Sequence, residues 1–195
     1  MRKSNKTKML DLGCGKRKVK GCIGMDISPD SDADVIHDLN KFPYPFKANS
    51  FDVIYAHNCL EHLNDVIKVM EEIYRIAKQG AKIFITVPHF TSHNFYTDLT
   101  HQRAFAVRSF DFFSPDENSV IKYLHPKASF KIVSKKIEPN RFIFKFRNKW
   151  IKIRNQPLHF LINLSPLVQD IYERFFSFIL TAEGIHFELK VLKRK

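Results

Sequence analysis

The first half of the chain alternates short apolar runs with polar turns. Each run is four to seven residues long, rich in Val, Ile, Leu and Phe, and bounded by Gly, Asp or Pro, which is the pattern of buried strands. The strands predicted in this way span residues 8–12, 22–27, 34–38, 51–56 and 81–87. Because helix and turn signals separate them, the pattern predicts an α/β domain with a parallel sheet.

The clearest helix signal follows the fourth strand. Apolar side chains recur there at helical spacing, at Leu63, Ile67, Met70, Tyr74 and Ala77. Asn58 is the N-cap that we predict, Glu61 occupies the third helical position of a capping box, and Gly80 marks the end.

The second half of the chain is less regular. Residues 88–128 are rich in His, Phe and Asp and predict a long loop with a helix near 104–112 or 117–124. Strands are predicted at 130–137 and 185–192, with an amphipathic helix at 166–180. Alternation after residue 130 favours antiparallel pairing, so a mixed sheet is expected.

Length and composition favour one globular domain. With 195 residues and 44% hydrophobic residues, the chain is too apolar for disorder and has no fibrous repeat. We therefore predict a single domain over 1–195, with 89–128 and 138–182 as substrate-site or lid insertions. Three cysteines without a C-x-x-C pair favour a reducing, cytoplasmic location. No signal peptide or transmembrane segment is predicted.

The formal charge of +12 is unevenly distributed. Residues 1–20 and 141–154 are strongly basic, whereas 26–38 is acidic. In residues 141–154, RFIFKFRNKWIKIR, aromatic and cationic side chains interleave. This pattern is compatible with nucleic-acid binding, with peripheral contact to an anionic membrane, and with a hairpin whose aromatic side chains join the core.

Three polar signals fall at predicted strand ends. Asp11-Leu12-Gly13-Cys14-Gly15 follows the first strand, where glycines let the backbone approach a ligand. Asp26 ends the second strand, and its carboxylate can bind both hydroxyls of a ribose. Asp38 ends the third strand and can accept from an exocyclic amine. Ligands of open α/β sheets bind at this edge, so a nucleoside-containing cofactor is predicted.

In their order along the chain, five segments resemble the class I S-adenosylmethionine-dependent methyltransferases, in particular the small type 11 domain group. The matching stretches are MLDLGCG (9–15), IGMDIS (23–28), DVIHDLN (34–40), FDVIYAHNCLEHL (51–63) and AKIFITVP (81–88). The resemblance implies a Rossmann-like three-layer sandwich with a mostly parallel, seven-stranded sheet and an antiparallel strand at its C-terminal end. It implies S-adenosylmethionine as cofactor and S-adenosylhomocysteine as product.

The family's residue roles carry over onto matching positions. Residues that the resemblance places around the cofactor are Asp11, Gly13, Cys14, Gly15, Asp26, Ile27, Asp38, Leu39, Ala56 and His57. Asp26 follows Asp11 by only 15 positions, so the first crossover helix is expected to be shortened to a turn or loop. A nicotinamide cofactor would require G-x-G-x-x-G, and Lys16 and Arg17 stand in place of that motif's continuation.

Histidines gather at the predicted strand ends and in the loop after the fifth strand. Methyl transfer often needs a base, and histidine is suited to this near neutral pH. The candidates are His89, His93, Asp98 and His101, with His89 favoured because Pro88 fixes it at the strand end. The same four residues are candidate ligands of a divalent metal, although their spacing matches no specific metal motif. His62 and Arg103 are candidate substrate contacts, Arg103 as a clamp for an anion.

The sequence therefore predicts a methyltransferase that acts on a small or glycan- or lipid-linked acceptor. Two alternatives stay open at this point. One is an RNA-modifying methyltransferase that binds through the basic patches, and the other is a non-catalytic module that binds a partner with the same fold.

Overall fold

A computed structural model describes residues 7–115, 126–140, 142–146, 149–153 and 155–193, with no side-chain detail between 141 and 154. Seven strands form one sheet: β1 (Met9–Leu12), β2 (Ile23–Asp26), β3 (Val35–Ile36), β4 (Phe51–His57), β5 (Ala77–Pro88), β6 (Phe130–Pro139) and β9 (Ala182–Val191). The order across the sheet is β3-β2-β1-β4-β5-β9-β6. Strands β1 to β5 run parallel, and β9 is antiparallel to β5 and β6. The predicted seven-stranded, mostly parallel α/β sheet is confirmed.

Helices are few and short. Between the strands lie α1 (Val66–Ile76), α2 (His93–Thr97), α3 (Gln156–Ile162) and α4 (Pro166–Ile171). Strands β7 (Phe142–Phe146) and β8 (Lys149–Ile153) pair as a separate antiparallel hairpin. Because nothing is described of the side chains in residues 141–154, contact of this segment with nucleic acid, with a membrane or with the core stays a prediction. No helix in the described part of the chain is long and apolar enough to cross a bilayer.

The first crossover contains no helix. Residues 13–22, which connect β1 to β2, are turns and bends, in agreement with the expected shortening. Lys18 bridges this segment to the next connection, with its Nζ 2.9 Å from Oδ2 of Asp34. The cofactor edge of the sheet is therefore formed by loops whose shape depends on side-chain hydrogen bonds.

Helix α1 differs from the sequence prediction in its start, its end and its buried face. It ends at Ile76, and Gly80, the predicted end, lies within β5. Its N-cap is Asp65, whose carboxylate accepts the Lys68 N–H, and Asn58 is instead a positive-φ residue of the preceding loop. Val66, Val69, Met70, Ile73 and Ile76 are buried, while Ile67 is exposed. The helix starts later than predicted because the backbone is extended at Leu63, which ends the 3-10 turn Leu60–His62 before α1 begins.

Two further predictions differ in the second half. The helix predicted over 166–180 ends at Ile171 and continues as a π-helical turn, Tyr172–Phe176. Residues 109–113 form a 3-10 helix rather than an α-helix, and the alternative helix near 117–124 lies outside the described residues. The predicted insertions at 89–128 and 138–182 stay predictions.

A partly buried ion pair, Glu72–Arg75, fixes the loop before β4. Arg75 donates two hydrogen bonds to Glu72 and two more to the carbonyls of Tyr44 and Phe46. Glu72 also accepts the Tyr44 N–H at 2.6 Å, and the Tyr44 hydroxyl donates to the Leu39 carbonyl at 3.0 Å. Helix α1 thereby positions the segment around Leu39, which follows β3 at the predicted cofactor edge.

The loops after β1 and β4 are in direct contact. A Cβ built on Gly13 would lie 2.6 Å from the Cβ of Cys59, and Gly13 has a φ of 65°. Gly15 also has a positive φ, 52°, but a Cβ there would meet nothing within 4 Å. Only glycine satisfies both constraints at position 13.

The two glycines provide a matched pair of variants. We expect Gly13→Ala to lower the free energy of unfolding by about 2–4 kcal/mol, because left-handed strain adds to the clash with Cys59. Gly15→Ala should cost about 1 kcal/mol, since it has the strain alone. Urea unfolding followed by circular dichroism measures both values, and equal losses would contradict the contact.

Candidate functional site

The carboxyl ends of β1 and β4 enclose a cleft of about 390 Å³. Its lining residues are Asp11, Gly13, Cys14, Gly15, Lys16, Arg17, Val19, His57 and Asn58. Five of these lining residues, Asp11, Gly13, Cys14, Gly15 and His57, are among the residues predicted to bind a cofactor. A larger cavity of about 920 Å³ lies along α1 and the loop before β4, and it contains none of the predicted site residues.

The carboxylates of Asp11, which is buried, and Asp26, which is half-buried, accept hydrogen bonds from the backbone of the glycine loop and its neighbours. Asp11 Oδ2 accepts the Val19 N–H at 2.8 Å, and burial raises the pKa of Asp11 above its ordinary value. Asp26 accepts the Gly15 N–H at 2.8 Å and the Ser28 N–H at 2.9 Å. These bonds fix the backbone of the glycine loop against the end of β2, where the sequence places a ribose.

The far side of the edge carries the other predicted cofactor residues. The side chain of Ile27 is 64% exposed, which leaves an apolar surface directly after Asp26. Asp38 Oδ1 accepts the Asn40 N–H at 2.9 Å, and Leu39 is buried. Ala56 is fully buried near the end of β4. The structure therefore arranges these residues along the same edge, and their cofactor roles stay predictions.

Beside the cleft, hydrogen bonds link polar side chains on three neighbouring strands. His57 Nδ1 lies 2.9 Å from the Thr86 hydroxyl, which lies 3.0 Å from His186 Nδ1. The three residues belong to the neighbouring strands β4, β5 and β9. His57 is exposed and lines the cleft, so it presents an imidazole to any ligand bound there.

His89, the favoured candidate base, is fully buried. Its Nδ1 accepts the Thr91 N–H at 3.1 Å, so the ring proton sits on Nε2 and is donated to Glu173 Oε1 at 3.2 Å. Glu173 also accepts the Val107 N–H. In this arrangement His89 joins the end of β5 to the π-helical turn and contacts no open space.

His101 lies instead beside His62. The centroids of the two imidazole rings are 4.6 Å apart. Glu61, in the 3-10 turn Leu60–His62, completes a group in which one ligand atom from each residue lies within 4.8 Å of the others. We call these three residues the Glu61–His62–His101 cluster. The adjacent Glu-His pair after a strand is the sequence signal for this cluster. The capping role predicted for Glu61 is wrong, because α1 begins only at Val66.

Hydrogen bonds from residues 102 and 103 hold the cluster together. The backbone N–H of Gln102 donates to the Glu61 carbonyl at 2.8 Å, and the side-chain amide of Gln102 donates to the His62 carbonyl at 2.9 Å. Arg103 donates to the carbonyls of Leu63 and Asn64. The guanidinium predicted to clamp a substrate is therefore used within the fold to fix the loop that carries Glu61 and His62.

The remaining candidates lie around this cluster or apart from it. Asp98 accepts two hydrogen bonds from Thr100, which lower the pKa of its carboxyl, and its Oδ2 lies 3.9 Å from His101 Nε2. His93 is exposed at the start of α2. Of the four predicted ligands, the structure brings Asp98 and His101 together, and His89 lies elsewhere.

Residues 10–85 of this chain match the family model described as Methyltransferase domain. The order and direction of the strands are those of the class I methyltransferase fold. The matched residues include β1, β2, β3, β4 and α1, and they contain every predicted cofactor residue.

Comparisons with solved structures show the same fold. A methyltransferase from Archaeoglobus fulgidus superposes with a TM-score of 0.57 and 20% identity, covering 94% of this chain and 86% of that chain. The [4+2]-cyclase SpnF superposes with a TM-score of 0.53 and 14% identity, over 96% of this chain and 76% of that one. The fold thus occurs in proteins whose names describe different reactions.

Curated relatives match over shorter segments. Ajmaline N-methyltransferase of Rauvolfia serpentina is 30% identical over 100 residues, which is 40% of this chain and 34% of the relative. Norajmaline N-methyltransferase of the same plant is 27% identical over 137 residues, 58% of this chain and 42% of the relative. The chain spans less than half the length of these relatives.

The environment of the Glu61 carboxyl can be tested by measuring the stability of the protein as a function of pH. Burial, with a smaller contribution from Asp98, raises the pKa of Glu61 from its ordinary 4.5 to about 7 in the folded chain. The folded state therefore holds the proton more tightly, and stability is lost as pH rises. From this carboxyl we expect the free energy of unfolding to fall by up to about 3 kcal/mol between pH 4.5 and 7.

Glu61→Gln should remove this contribution, because the amide does not titrate. Urea unfolding at a series of pH values, with EDTA present to remove trace cations, measures the effect. A variant whose stability falls as steeply as that of the wild type would contradict the assignment.

Proposed function

We propose that this chain is an enzyme that transfers a methyl group from S-adenosylmethionine to a small or lipid- or glycan-linked acceptor. The observation that carries the proposal is the cleft at the carboxyl ends of β1 and β4. It is lined by Asp11, the glycine loop and His57, and it lies within the matched methyltransferase domain. Cofactors of open α/β sheets bind at this edge.

Asp26 and the glycine loop would hold the two ends of the cofactor. The Asp26 carboxylate already accepts two backbone N–H groups, and its remaining lone pairs suit the ribose hydroxyls. Exposed Ile27 offers an apolar face to the adenine, and Asp38 an acceptor for its amine. The glycine loop and His57 would surround the methionine part.

Methyl transfer at this site is an in-line displacement. A lone pair of the acceptor atom bonds to the methyl carbon while the carbon–sulfur bond breaks. The electron pair of that bond stays on sulfur, which gives neutral S-adenosylhomocysteine, and the proton of the acceptor is released to a base or to solvent. The protein's contribution is mainly to position the acceptor in line with the methyl group.

The acceptor would approach from the part of the edge beyond β5. Gly184 pairs with Pro88 at the end of β5, so residues 172–181 reach this edge just before β9 begins. Ten large apolar side chains are exposed from α3 to β9: Phe160, Leu161, Leu164, Leu167, Ile171, Phe175, Phe176, Phe178, Ile179 and Leu180. This surface favours an acceptor with an apolar part, such as a lipid-linked molecule.

We place the acceptor next to His62 and His101 rather than next to His89. His62 belongs to the loop that follows β4 and His57, while His89 is fully buried. A base role for His93 or Asp98 stays a prediction, and the curated relatives named above act as N-methyltransferases by name.

RNA methylation is the second candidate. It is favoured by the charge of +12 and by Lys16 and Arg17, which line the cleft. Binding of RNA that collapses at moderate salt, together with methyl incorporation into the RNA, would support it. The free cysteines Cys14, Cys22 and Cys59 are compatible with the cytoplasm in either case.

The first experiment is calorimetric titration with S-adenosylhomocysteine. We expect the wild type to bind it in the micromolar range and Asp26→Asn to weaken binding at least roughly tenfold, or about 1.4 kcal/mol. Asp30→Asn is the matched control, because Asp30 is an exposed acid in the same segment and should leave binding unchanged.

Two results would count against the proposal. Absence of binding by a folded wild type would leave only the fold. Equal affinity in Asp26→Asn and the wild type would show that the ligand binds without the ribose contact.

A further inference from the structure

The Glu61–His62–His101 cluster is separate from the residues that line the cofactor cleft. It combines one carboxylate with two imidazoles, which is a ligand set for first-row divalent cations. One ligand atom from each residue lies within 4.8 Å of the others. Small side-chain rotations would bring all three to a shared cation with bonds of about 2 Å.

The hydrogen bonds of His62 determine which of its nitrogens carries the proton. The Asp98 carboxylate only accepts, so the Thr100 hydroxyl donates its single proton to Asp98 Oδ1 at 2.6 Å. The Thr100 oxygen therefore accepts from His62 Nδ1–H at 2.8 Å. The lone pair of His62 is then on Nε2, as in a metal ligand with its second nitrogen hydrogen-bonded.

His101 is fixed in the same tautomer. Its Nδ1 lies 3.0 Å from the Phe95 carbonyl, which can only accept, so Nδ1 carries the proton. The lone pair is again on Nε2. The nearest carboxylate oxygen, Asp98 Oδ2, is 3.9 Å from this nitrogen, which is beyond hydrogen-bond distance.

The Glu61 carboxylate provides independent evidence for a cation at this cluster. The residue is 1% exposed, and its Oε2 has no hydrogen-bond partner among the described residues. A buried carboxylate oxygen without a partner is costly. A cation bound between Glu61 and the two Nε2 atoms would satisfy it.

His89 shows the contrasting arrangement. Both of its ring nitrogens are used by protein groups, Nδ1 by Thr91 and Nε2 by Glu173. It therefore has no lone pair for a cation. Of the metal ligands considered from the sequence, His89 is therefore excluded, and His101 belongs to the cluster.

We infer that Glu61 Oε2, His62 Nε2 and His101 Nε2 bind one first-row divalent cation, such as Zn²⁺ or Co²⁺. Three protein ligands leave at least one coordination position open. As a consequence that rests on the proposed function, the open position takes an oxygen of the methyl acceptor. The cation then orients the acceptor and lowers the pKa of its hydroxyl, in place of a single imidazole base.

The test is titration of the untagged full chain with Co²⁺ alone, followed by visible spectroscopy. We expect d–d bands that saturate at one equivalent, without the near-ultraviolet charge-transfer band of a cobalt–thiolate bond. His62→Ala, His101→Ala and Glu61→Gln should each weaken Co²⁺ binding at least roughly tenfold. His93→Ala, a change to an exposed histidine eight positions before His101, should retain wild-type affinity.

The same variants are titrated with S-adenosylhomocysteine. Retained binding shows that they are folded and separates this inference from the proposed function. Absence of Co²⁺ bands in the wild type overturns the inference whatever the variants do. Unchanged Co²⁺ affinity in folded His62→Ala and His101→Ala, or a thiolate band, overturns it as well.

Discussion

The contact between Gly13 and Cys59 is the constraint on which the site depends. A side chain at position 13 would place a Cβ 2.6 Å from that of Cys59, so the loop after β1 and the loop after β4 can approach this closely only with glycine at position 13. The first loop carries glycines that line the cleft, and the second leads directly into Glu61 and His62. The close contact between Gly13 and Cys59 therefore sets the position of the proposed cofactor cleft relative to the Glu61–His62–His101 cluster.

The sheet and the edge that carries the cleft could be predicted from the sequence because their signals are local. A short apolar run followed by Gly or Asp marks a buried strand and its end, and parallel strands place those ends along one edge. Asp11, Gly13, Gly15 and His57 accordingly share a cleft. Fifteen positions between Asp11 and Asp26 were also too few for a normal crossover helix, and the structure has none there.

The roles of the histidines could not be read from the sequence in the same way. His62 and His101 are 39 positions apart, and their pairing depends on hydrogen bonds from Gln102 to residues 61 and 62. The location of His89 at a strand end was predictable, but its burial depends on Glu173, which follows 84 positions later. The start of α1 was misplaced for a local reason, since Asn58 and Asp65 both have side chains suited to capping.

Because a loop replaces the first crossover helix, the segment after β1 offers no helix N-terminus to an anionic group bound in the cleft. A helix starting after β1 would offer fixed amide dipoles to such a group. In this chain the cations that line the cleft are the exposed side chains of Lys16 and Arg17. Exposed surface charges are screened by dissolved ions far more than buried dipoles are. The ionic strength of the surroundings thus becomes a determinant of ligand retention at this edge of the sheet.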